Sequence, residues 1–106
     1  MSALLSVGLV TLQLKISVRV LEANDIISRK LPKGTTGLVI TAIDKDSPVN
    51  YLKVNNIIIE AQKKKIRSID ELTRIVDSVL RSTEKTMLIA IYNNQNQRRY
   101  IGVKLD

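Results

Sequence analysis

Helical periodicity is sustained in only one long stretch of this chain, and that fact narrows the fold more than anything else. Ser68-Ile69-Asp70-Glu71 has the form of a capping box, in which the Ser hydroxyl accepts from the Glu71 amide while the Glu side chain reaches back. After it, Leu72, Ile75, Val76, Val79 and Leu80 recur at helical spacing with charges on the other face, which predicts a helix of about three turns. The other apolar segments carry the signature of strands. Leu12, Leu14, Ile16, Val18 and Val20 alternate with Gln13, Lys15, Ser17 and Arg19, a period of two that predicts one half-buried strand.

Asn24 to Leu31 reads as one or two helical turns closed by Pro32, and Lys33 to Gly37 as a loop. Leu38 to Ile43 is a β-branched strand, Asp44 to Ser47 a turn, and Pro48 the first position of a short helix. Asn55-Asn56 punctuates before the strand Ile57 to Ala61, and Gln62 to Lys65 is a lysine-rich turn. Met87 to Tyr92 and Arg98 to Leu105 are predicted to form a final hairpin around Asn93 to Asn96. Strands dominate and one substantial helix packs on them, so the class is α+β, mainly β.

Composition excludes several kinds of chemistry. At 106 residues the chain fits one compact domain, 1–106. It has no His, which removes the usual general base and the usual zinc ligand together, and no Cys for a disulfide or thiolate site. Without His, serine chemistry would need a Ser-Lys pair, and no spacing singles one out. No phosphate loop, metal cluster or paired carboxylates stand out, so neither a cofactor nor catalysis is expected. No segment has the roughly 18 apolar residues of a membrane span. Ala3 to Leu14 is apolar but lacks a basic region ahead of it and runs into the strand pattern. Met1 is therefore read as the start of an excised piece or a late domain boundary.

Seventeen Lys and Arg against ten Asp and Glu give a net charge of +7. The charges are dispersed, apart from Lys63-Lys64-Lys65 with Arg67, and mostly read as a solvated surface. An anionic partner or a neighbouring subunit at that run is the alternative. Nucleic acid is disfavoured as a partner, because three Tyr and no Phe or Trp supply little for base stacking and no Arg-rich recognition helix appears.

The order of elements resembles a PDZ domain in its bacterial, circularly permuted form. The likeness rests on Gly37-Leu38-Val39-Ile40-Thr41, on Asp46-Ser47-Pro48, on Leu52 to Ile59, on Ile66 to Leu72 and on the closing Ile101-Gly102-Val103-Lys104-Leu105. It covers residues 37 to 105 well and 6 to 36 loosely. The best likeness is to the second, C-terminal PDZ of Do-like (DegP/HtrA) periplasmic serine endoproteases. Asn55-Asn56 stands where that family has Gly-Asp, the segment from Pro48 to Leu52 is about two residues short, and the protease domain is missing.

The resemblance implies a partly open β-barrel or sandwich of five to six strands capped by one long and one or two short helices. It implies a peptide-binding module of a periplasmic serine protease, capturing apolar C-termini or unfolded segments by strand addition. The alternative is an assembly or regulatory PDZ with little peptide affinity, in contact with the protease domain, a neighbouring PDZ or further copies of the parent. Ser6-Val7-Gly8-Leu9 matches the carboxylate-binding loop, with the amides of Val7, Gly8 and Leu9 on the carboxylate. Val7, Leu9 and Val76 would line the pocket for the last side chain. Ile69 would meet the third-last ligand residue, with Thr73 one turn along and Thr11 further along the strand. One inconsistency stands: a groove phase set by Leu9 sends Thr11 and Gln13 inward, whereas the apolar series from Leu12 is even-numbered. A β-bulge near Val10 and Thr11, a loop assignment off by one, or a degenerate groove would each account for it.

Overall fold

The computed structural model describes residues 8–9, 14–49 and 51–105. Its elements are β1 (Gly8–Leu9), β2 (Ile16–Val20), α1 (Ala23–Arg29), β3 (Leu38–Ile43), β4 (Ile57–Ala61), β5 (Lys64–Lys65), α2 (Ile69–Leu80), β6 (Thr86–Tyr92) and β7 (Arg98–Lys104). The strands form one antiparallel sheet in the order β1-β2-β3-β4-β6-β7, not closed into a barrel, with β5 paired to β4 alone. The expected mainly β, α+β architecture is what the chain adopts.

Each face of the sheet buries its own cluster. One cluster joins Ile16, Val18, Leu38, Ile40, Ile58, Met87, Ile89, Ile91 and Val103 to Leu72, Val76 and Val79 of α2. On the other face Leu21, Leu31, Val39, Ile57, Ile59 and Ala90 pack together, with Ile26 of α1 and Tyr92 against them. Two bulges keep these faces consistent. Ser17 pairs Ala42 while Val18 pairs Ile40, so Thr41 is an extra residue in β3. Ile58 pairs Ile91 while Glu60 pairs Ala90, so Ile59 is an extra residue in β4. Gly37 makes the β3–β4 approach possible: a Cβ there would lie 2.7 Å from the Ile58 carbonyl oxygen and 2.8 Å from Ile57 Cγ2.

Two expected elements differ from the structure. The strand predicted over Leu12 to Val20 begins only at Ile16, because Lys15 has φ 52 and breaks the extended run. Gly8–Leu9 then pairs antiparallel with Val18 and Ser17 as a separate strand. The phase conflict between Leu9 and the even-numbered apolar series disappears, since the two sets belong to different strands.

Pro48 starts a turn and not a helix; among the described residues, 44–56 hold only turns and irregular backbone. The cause is local hydrogen bonding. Asp44 Oδ1 accepts from the Asp46 amide at 2.8 Å, and the buried Ser47 hydroxyl donates to the Leu14 carbonyl while accepting from the Val49 amide at 3.1 Å.

The helices are held by their ends. Ser68 Oγ accepts from the Glu71 amide at 3.1 Å as expected, and the Glu71 carboxylate accepts from the Arg67 amide at 2.6 Å, one residue before the cap. In α1, Asp25 accepts from the Glu22 amide at 2.8 Å and takes both guanidinium nitrogens of Arg19 at 2.7 and 2.8 Å, fastening the helix to β2. The Asn55-Asn56 pair also finds its physical role. Asn55 holds φ 77, a left-handed position that Asn tolerates nearly as glycine does, and Asn56 Oδ1 accepts from the Lys53 amide at 3.0 Å as an Asp carboxylate would.

Candidate functional site

A peptide-capturing cleft of the kind expected from sequence needs a sheet edge and a helix lying along it. β1, with Gly8 and Leu9, ends the sheet on one side, and one of its edges is taken by β2 through Gly8↔Val18 and Leu9↔Ser17. The helix α2 packs across β2 and β6 on the face that carries the larger cluster. β2 is thus the strand that both β1 and α2 touch, and α2 reaches β6, toward the sheet's other end, as well. Val7 and Thr11 lie outside the described residues.

On α2 the named positions separate by burial, and helix geometry says why. Successive residues turn by about 100° around the axis. Leu72, Val76 and Val79 fall within one narrow arc, and all three are buried, Val76 with 0% exposure. Ile69 and Ile75 flank that arc on its two sides and are half-buried against the core. Thr73 stands further round beyond Ile69, half-buried, and its hydroxyl donates to the Ile69 carbonyl at 2.9 Å. Val76 thus sits among core side chains, while Ile69 and Thr73 share the flank of the helix that continues from it. Ile75, on the apolar stripe read from sequence, is only partly covered.

Charge on the helices is arranged largely in pairs. Two of the ion pairs lie on or just before α2: Arg74–Asp70 at 3.0 Å is exposed on both sides, and Arg67–Glu71 is longer, at 4.0 Å. Asp25 has its carboxyl held at about 2, chiefly by the bidentate Arg19 hydrogen bonds, and the guanidinium of Arg19 is raised in return. Burial pushes the Tyr51 hydroxyl up. Asp70 of the exposed pair lies three residues before Thr73 and so borders the flank that carries Ile69 and Thr73. Among the described residues no cluster of His, Cys, Asp or Glu could hold a metal ion, and none of their helices is long and apolar enough to cross a membrane.

Sequence reasoning read Gln62 to Lys65 as a lysine-rich turn, and the structure closes it as a tight hairpin. Gln62 and Lys63 both have positive φ, 52 and 66, between the paired residues Ala61 and Lys64. That is the two-residue loop geometry that usually selects Asn-Gly. Gln62 anchors it, with its amide donating to the Leu88 carbonyl at 2.7 Å and its Oε1 accepting from the Leu88 amide at 2.7 Å. No Asn, Gly or Pro marks the spot, so the turn was readable from sequence but its left-handed type was not.

No protein-family model matches this chain, and no curated protein matches it. Among solved structures it is similar to the HtrA-type protease AlgW, in a structure with a decapeptide, at a TM-score of 0.64 and 17% sequence identity. The similarity covers 86% of this chain and 27% of that one, so the chain spans about a quarter of that protein's length. At such identity the likeness is one of fold: a small, β-rich domain consistent with a PDZ domain of an HtrA-type protease.

Proposed function

We propose that this chain is a non-catalytic PDZ module of a Do-like, HtrA-type serine protease, capturing apolar C-termini or unfolded segments by strand addition between β1 and α2. One observation supports the reading: a terminal sheet strand containing Gly8 lies next to β2, one of the two strands over which α2 packs. In this reading the amides around Gly8 take the carboxylate, β1 supplies main-chain hydrogen bonds, and Ile69 and Thr73 face the ligand's upstream residues. The half-buried, apolar Ile69 favours an apolar ligand residue opposite it. The AlgW structure holds a decapeptide, which supports a peptide as the partner class.

The experiment compares one apolar peptide as its free acid and as its amide, by calorimetry against the whole chain. Charge-assisted hydrogen bonds contribute about 1.5–3 kcal/mol, so the amide should bind roughly 10- to 100-fold more weakly. Equal affinity would falsify carboxylate capture.

Full burial of Val76 favours a second reading. If the core already fills the pocket for the terminal side chain, the module serves assembly or regulation of the parent instead. It would then show no measurable peptide affinity and would associate with further copies or with the rest of the protease in sedimentation.

A further inference from the structure

The sheet's other end, β7, is built quite differently from β1. It runs for 7 residues against the 2 of β1, and pairs with β6 in unbroken register from Thr86↔Lys104 to Tyr92↔Arg98. Gln62 reveals which of its peptide groups face outward. Both the N–H and the C=O of Leu88 are engaged by Gln62, so both point toward β4. In an antiparallel ladder these directions alternate, so Gly102, opposite Leu88, turns its own N–H and C=O away from β6. The same alternation turns Arg98, Tyr100 and Lys104 outward. Among the described residues, the one bond made to these outward groups comes from the Tyr51 hydroxyl, 3.2 Å from the Gly102 carbonyl oxygen.

Gly102 is not demanded by its own chain. A Cβ placed there would meet nothing nearer than Thr86 Cγ2 at 4.0 Å. Glycine inside a strand destabilises it by about 0.5–1 kcal/mol relative to alanine and commonly marks the close approach of another backbone.

The side chains around Gly102 carry charge of one sign. Arg98, Tyr100 and Lys104 are exposed and share one face by the strand's alternation. Arg98 is bonded to Glu60 at 2.9 Å and stands 5.4 Å from the Tyr100 ring centre. Beside it Lys33, Lys65 and Arg98 line a cavity of about 250 Å³ with Glu60 as the single carboxylate. Lys104, at the far end of the strand, has no ion-pair partner among the described residues. Cations thus bracket an exposed tyrosine and an unneeded glycine, on a chain whose net charge is +7.

We propose that β7 receives an acidic, extended segment of a partner polypeptide as an additional strand. Its carboxylates lie opposite Arg98 and Lys104, and a small or apolar residue lies against Tyr100 and Gly102. A second copy of this chain fits poorly. The two-fold pairing that sets Tyr100 of one copy over Gly102 of the other also sets Arg98 against Lys104, like charge against like.

The test uses the ¹⁵N-labelled whole chain and a synthetic strand-forming peptide of about nine residues, with two Glu at the spacing of Arg98 and Lys104. Acetylated and amidated ends keep it from acting as a C-terminal ligand at β1. Expected are amide shifts confined to β7, slowed exchange of the Tyr100 and Gly102 amides, and affinity that falls with salt. Replacing both Glu by Lys should weaken binding at least ~10-fold, and Lys104→Glu should largely cancel that preference. Gly102→Pro removes only an outward N–H and should abolish binding while the β6 amides stay in place; the exposed Lys104→Glu variant carries the test if the proline variant does not fold. Absence of binding overturns the proposal, leaving the cations as guards against edge pairing. Shifts at β1 and α2 alone, indifference to peptide charge, or self-association through β7 overturn it equally.

Discussion

Asp25 gathers the Glu22 amide and both Arg19 guanidinium nitrogens onto one carboxylate, and its side chain is only 14% exposed. Its folded pKa, about 2, lies below the ordinary 3.8. A depressed carboxyl stabilises the fold above its unfolded pKa, and that contribution is lost as pH falls from about 4 through about 2. With Arg19 one-third exposed, solvent screening leaves about 1 kcal/mol. Urea denaturation should show Asp25→Asn less stable by that amount at pH 7, with the difference gone near pH 2. Gly37 is the other residue whose environment sets a clear expectation. An alanine methyl would collide with the Ile58 carbonyl oxygen at 2.7 Å, a backbone atom that cannot rotate away. Gly37→Ala should cost about 2–3 kcal/mol, seen as a melting temperature lower by about 8 °C or more. An unchanged melting curve would mean that β3 and β4 are less tightly held than their spacing implies.

At the scale of elements, α2 was legible because capping and periodicity agreed, from Ser68 through Leu80. The final hairpin and β4 were legible for the same reason, as apolar runs bounded by Asn or Lys turns. What escaped was everything decided by a residue with no turn signal of its own. Lys15 at φ 52 cut the predicted long strand, and the expected turn at Gln62-Lys63 took a left-handed form that nothing in its residues announces. The bulges at Thr41 and Ile59 exist only as relations between strands. Within the candidate cleft, the spacing of Ile69 and Thr73 was readable, but the burial of Val76 depends on what the sheet presents to it. The Gln62-Lys63 loop also yields a prediction. A left-handed conformation costs a non-glycine residue roughly 1–2 kcal/mol, while glycine gives back about 0.4–1 through the unfolded chain. Lys63→Gly should therefore stabilise the protein by about 0.5–1 kcal/mol in denaturant titrations, and a loss of stability would show that the lysine side chain has a contact that matters.

For the molecule as a whole, charge is the quantity that the sequence states outright and the structure distributes. Seventeen cations face ten anions, and the ion pairs among the described residues engage Arg19, Arg67, Arg74 and Arg98 but no lysine. Lysine charge is therefore left to repel itself across the surface. Raising ionic strength from about 0.01 to 0.15 M shortens the screening length from about 30 to 8 Å, which should raise the melting temperature modestly. A fall on adding salt would instead give the four arginine pairs the larger share of the electrostatic stability.

The extra residue Ile59 acts on β4 as a phase shifter. Upstream of it, odd-numbered Ile57 looks toward α1; downstream, Ala61 faces the opposite cluster although its number is also odd. Deleting that one isoleucine would set Ile58 and Glu60 against Ile91 and Ala90 in an unbroken ladder, leaving Glu60 on its present face and removing only an apolar side chain from the cluster beneath α1. Elsewhere in the strand, where no extra residue absorbs the loss, a one-residue deletion would turn every following side chain to the other face.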